Sequence, residues 1–98
     1  MTKAEKEHLN RVQQLGCIAC IEIGHHGTPA EIHHIRAGQG KGQRASHYDV
    51  LPLCPHHHRN GGHGEAFHAG SKTWQSRFGA ELELLAKVNQ MLCLEGVA

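Results

Sequence analysis

Ten Lys and Arg against nine Asp and Glu give a 98-residue chain a net charge of +1, which excludes a uniformly polybasic nucleic-acid arm and an acidic tail. Apolar residues make up 39 %, but only two Phe, one Trp and one Tyr are present, so the core is thin for a domain this small and a staple of another kind is expected. No apolar run approaches the ~20 residues that cross a bilayer, and the opening residues lead into no signal-peptide core, so residues 1–98 read as a single cytoplasmic domain with no membrane partner.

Leu9, Val12 and Leu15 recur at helical spacing and Gly16 follows as a stop, predicting a helix over about residues 3–15. Cys17 and Cys20 then form a Cys-x-x-Cys pair. Residues 31–36 and 48–54 are short and contain β-branched side chains, and they read as two strands joined by the glycine-rich loop 37–46. Pro55 opens a short helical turn carrying His56, His57, His58 and Arg59, which Gly61 and Gly62 end. Ser71 is a candidate N-cap for a helix presenting Trp74 and Phe78 four residues apart. Leu82, Leu85, Val88 and Leu92 predict one apolar stripe on a last helix over about residues 80–95, with Cys93 packed beside it.

Histidine is the outlier. Ten of the eleven copies fall between His25 and His68, and residues 36–77 carry Arg36, Lys41, Arg44, Arg59, Lys72 and Arg77 against only Asp49 and Glu65. Basic charge and imidazole share the centre of the chain, and the ends read as scaffold. A Cys-x-x-Cys knuckle followed downstream by Cys-x-x-His is the ligand grammar of a closed tetrahedral zinc site, here Cys17, Cys20, Cys54 and His57. A redox role for the pair lacks its usual context of strand, motif and long helix.

Successive residues on a helix diverge by about 100°. With His57 turned to the cysteines, His58 faces elsewhere and is free for a second site, and His56 turns to solvent or a phosphate backbone. The adjacent His33 and His34 are the obvious further donors, although neighbours on a regular strand face opposite sides. His8, His25, His26 and His47 read as ordinary surface or loop histidines, and Glu31 as solvent-facing.

In this order, Glu31-Ile-His-His-Ile35, a glycine-rich loop, Asp49-Val-Leu-Pro-Leu-Cys54 and then Pro-His-His-His58 resemble the HNH endonuclease motif. The whole chain is similar to the Ref-type, RecA-dependent nucleases of phages and prophages. The resemblance implies an α+β fold, with a zinc-stapled ββα-metal core over about residues 17–79 between two flanking helices. It implies His33 and His58 as catalytic-metal ligands, His34 as general base, and Asp49 holding the loop that orients His34. The last metal ligand would be His68, with His63 as the alternative, because Gly62 stands where the motif usually has one. The implied cofactors are structural Zn²⁺ and a catalytic Mg²⁺, Mn²⁺ or Zn²⁺. The implied partners are DNA, met by Arg36, Lys41, Arg44 and Arg59, and RecA filaments. The resulting expectation is an endonuclease of low sequence specificity. Its rival is a non-enzymatic zinc-binding module that contacts nucleic acid or protein and has no use for His33, His34 and His58.

Overall fold

The computed structural model describes residues 1–40 and 42–96. Helix α1 (Lys3–Gln14) opens on Thr2, whose hydroxyl accepts the Glu5 N–H at 3.1 Å while the Glu5 carboxylate accepts the Thr2 N–H at 2.7 Å. This reciprocal cap satisfies two otherwise orphaned donors. Val12 is buried beneath the helix, with Leu9 and Leu15 partly buried beside it. A short helix unanticipated from the sequence, α2 (Ile18–Glu22), follows at once, and the Cys17 sulfur caps it by accepting the Cys20 N–H at 3.5 Å.

Strands β1 (Glu31–His34) and β2 (Val50–Leu53) pair antiparallel, with Glu31 opposite Leu53, Ile32 opposite Pro52, His33 opposite Leu51 and His34 opposite Val50. Both are shorter than expected. After His34 the ladder gives way because the N–H groups of Arg36 and Ala37 turn to the Glu81 carboxylate, at 2.9–3.0 Å. Pro52 is tolerated because β2 pairs on one edge only. All four residues of β2 are buried, so this strand forms the floor of the core.

After β2 the chain enters a π-helical turn (His56–Asn60), closed by the Gly61 N–H on the His56 carbonyl at 2.9 Å. Gly61 is required here, since a Cβ would stand 2.5 Å from that carbonyl oxygen. Gly62 then turns the chain at φ +80°. A 3-10 turn (Phe67–Ala69) leads into α3 (Ser71–Phe78), with Gly70 rather than Ser71 in the N-cap position. Trp74 and Phe78 are buried against each other, ring centroids 5.0 Å apart.

The last helix, α4 (Glu81–Gly96), keeps the expected stripe except at its first member. Leu84, Leu85, Val88 and Leu92 are buried, whereas Leu82 is 60 % exposed and Cys93 is exposed rather than packed. The cause is Glu81, which takes the inward position at the start of the helix and turns its neighbour Leu82 outward. Arg11 ties α1 to α4 by donating to the Leu92 carbonyl at 2.8 Å. Among the described residues no helix is long and apolar enough to cross a membrane.

Leu51→Ala is expected to cost about 2–5 kcal/mol and Leu82→Ala less than about 0.5 kcal/mol, read from urea unfolding midpoints. Equal losses would contradict this phase of α4.

Candidate metal centres

The first centre joins three parts of the chain. Cys17 and Cys20 come from the capped start of α2, Cys54 from the end of β2, and His57 from the π-helical turn. All four are buried, and their ligand atoms lie within 4.8 Å of one another. The Cys20 and Cys54 sulfurs are 3.9 Å apart, and Nδ1 of His57 stands 3.8, 3.4 and 3.3 Å from the sulfurs of Cys17, Cys20 and Cys54. Zinc–ligand lengths of about 2.3 Å to sulfur and 2.0–2.1 Å to nitrogen put tetrahedral edges at roughly 3.8 Å (S to S) and 3.5 Å (S to N), so this donor set fits a structural metal such as zinc.

Burial pushes the Cys17 thiol up to about 12, and burial likewise lowers His57. Glu65 borders this centre, with Oε2 3.7 Å from Nε2 of His57. It pairs with Arg77 and, at 3.2 Å, with His56, which is exposed at the surface as expected.

The second centre lies on the other side of the same turn. His33 of β1, His58 of the turn and His68 of the 3-10 turn bring ligand atoms within 4.8 Å of one another. Nε2 of His58 and Nε2 of His68 are 3.0 Å apart. Two imidazole nitrogens about 2.0–2.1 Å from one ion stand roughly 3.0–3.4 Å from each other, so the trio also fits a divalent cation. Burial lowers the pKa of both His58 and His68 and so favours the neutral ring. His63 lies apart, with Nδ1 3.3 Å from the Ala69 carbonyl.

Two carboxylates that sequence reasoning left out of the site hold its rings. Glu81, 2 % exposed, contacts Nε2 of His33 at 2.8 Å. Burial opposes its charge, but the His33 ring and the Arg36 and Ala37 N–H groups outweigh that and lower its pKa. Glu31 is not simply solvent-facing: it contacts Nδ1 of His58 at 2.7 Å and takes a two-pronged bond from Arg59. Arg59 first, then His58, lowers the Glu31 carboxyl to about 2. Neither link is local, spanning 48 and 27 residues, so no motif spacing announces them.

His34 sits where β1 ends, and there the alternation of strand side chains no longer separates it from His33. Both line an open cleft of about 460 Å³ together with Arg36, Arg44, His58 and His68. Nε2 of His34 is 3.0 Å from Nδ1 of His47, a residue expected to be incidental. Burial first, then Arg44 and the neighbouring imidazoles, lowers the pKa of His34. Among the described residues the Asp49 carboxylate makes no hydrogen bond to His34. The Asp49 backbone carbonyl instead accepts the Ile35 N–H at 3.1 Å, fixing the chain beside it. Arg36 donates to the carbonyls of Gln43 and Gly40 and so braces the glycine-rich loop. Arg44 is exposed along the cleft, and Lys41 lies outside the described residues.

A family model described as recombination enhancement, RecA-dependent nuclease matches residues 1–93, and the chain belongs to that family. A search of curated proteins finds no match.

Cys54→Ala is expected to lose the structural cation and about 3 kcal/mol or more of stability. At about 4–8 °C per kcal/mol for a domain of this size, Tm falls by at least ~12 °C in a thermal melt, and an unchanged melt would remove the first centre's structural role.

Proposed function

We propose that this member of the RecA-dependent nuclease family is a metal-dependent DNA endonuclease of the HNH, or ββα-metal, type. It hydrolyses phosphodiester bonds with little sequence preference on DNA associated with RecA filaments in the cytoplasm. One observation carries the reading: the imidazoles of His33, His58 and His68 converge within a cleft that also holds His34 and Arg44.

In this reading Cys17, Cys20, Cys54 and His57 hold structural Zn²⁺, and His33, His58 and His68 hold a catalytic Mg²⁺, Mn²⁺ or Zn²⁺. The bound cation supplies charge neutralisation at the scissile phosphate. His34 takes the proton of the attacking water. Its neutral ring suits that task, because a base must arrive unprotonated and within hydrogen-bond reach of the water. Asp49 acts through the backbone, holding the end of β1 beside His34, and His47 steadies the ring. Arg44 meets the DNA backbone, and Arg36 does so from within the loop it braces. Arg59 extends the basic surface, and Lys41 is a further candidate DNA contact by its charge. Contacts of this kind position a duplex without reading its bases, which fits low specificity. The products are a 5′-phosphate and a 3′-hydroxyl.

His34→Ala is expected to lower nicking of supercoiled plasmid at least ~100-fold in Mg²⁺ or Mn²⁺ with RecA filaments present, while Tm and metal content stay unchanged. Undiminished nicking removes His34 as the base. No nicking by the unaltered protein leaves the non-enzymatic zinc module as the better reading.

A further inference from the structure

We infer, on the reading of the histidine trio as a cation site, that Glu81 and Glu31 are positioning residues that select the coordinating nitrogens: Nδ1 of His33 and Nε2 of His58. A neutral imidazole carries one N–H and one lone pair, and an ionised carboxylate only accepts. Whichever ring nitrogen faces a fixed carboxylate therefore keeps the proton, and the other nitrogen is left to coordinate.

Both carboxylates are fixed. Glu81 is buried and accepts the N–H groups of Arg36 at 2.9 and 3.0 Å and of Ala37 at 2.9 Å, so it cannot swing away from Nε2 of His33. The proton of His33 stays on Nε2, and Nδ1 is the atom left for a cation. Glu31 is held by Nε and Nη2 of Arg59 at 2.8 and 3.1 Å, with its Oε1 against Nδ1 of His58. The proton of His58 stays on Nδ1, and its Nε2 points to His68.

The arrangement is reciprocal across the fold. Glu31 and His33 stand two apart on β1 and share a face. The strand therefore orients a ring of the π-helical turn through Glu31, while the first residue of α4 orients the strand's own ring through Glu81. Three elements are locked to one point, and the ligand set mixes the two imidazole nitrogens. Carboxylates in this role typically contribute 10- to 100-fold to metal affinity.

The test is a two-bond ¹H–¹⁵N spectrum of ¹⁵N-histidine protein with its cysteine centre filled and no second cation added. The expected result is an Nε2–H tautomer for His33 and an Nδ1–H tautomer for His58. The opposite tautomers, or averaging between them, overturn the inference. In parallel, Mn²⁺ uptake followed by electron paramagnetic resonance is expected to weaken about 10- to 100-fold in Glu81→Gln and in Glu31→Gln, and to stay unchanged in Glu83→Gln. Full affinity in both positioning variants overturns the inference as well. Thermal melts accompany each variant, and Glu31, less buried, serves if Glu81→Gln does not fold. Should the unaltered protein take up no Mn²⁺, the cation reading of the trio fails, while the tautomer spectrum still decides this inference.

Discussion

His57 and His58 leave one widened helical turn in different directions, and both candidate centres depend on that divergence. The turn is short, closed by the His56 carbonyl and ended by a glycine whose missing side chain makes the closure sterically feasible. On one side His57 completes a buried Cys3His cluster, and on the other His58 completes a histidine trio at a cleft. A substitution that shifts this turn therefore disturbs both candidate centres together. Widened turns of this kind recur at functional sites because they re-aim side chains that a regular helix would space evenly.

The thin core explains why such a small chain uses a buried cysteine cluster. Two strands with a single ladder and a few apolar helix faces leave little area to bury, and a filled metal site ties α2, β2 and the π-helical turn into one unit. Glu81 does similar work at the other end of the sheet. It places a charge where burial opposes it, and it is tolerated because three donor groups meet it. The same contacts end β1 at the place where His34 reaches the cleft. The scaffold and the candidate site thus share atoms.

The grouping of Cys17, Cys20, Cys54 and His57 was legible from the sequence because coordination grammar is local: Cys-x-x-Cys and Cys-x-x-His carry their spacing with them, and the fold brings the four together. The order of His33, His58 and His68 was legible through resemblance to a family, and the fold gathers these three as well. Glu81 was not legible, because its contact with His33 depends on where α4 docks after 48 intervening residues. For the same reason the stripe Leu85, Val88 and Leu92 was legible but its first member was not, because Glu81 and Leu84 take the inward places and Leu82 faces out. The pairing of His47 with His34 belongs to the loop's conformation, which glycine spacing does not encode. Helix α2 escaped notice because five residues hold little more than one turn of periodicity.

The most direct measurement is anomalous diffraction from crystals of the zinc-loaded protein soaked in Mn²⁺, with data collected on both sides of the zinc edge. The account predicts a zinc peak among Cys17, Cys20, Cys54 and His57. It predicts a separate manganese peak within about 2.0–2.4 Å of nitrogens from His33, His58 and His68. A second peak elsewhere, or electron density showing those three rings turned apart with no ion between them, would contradict it.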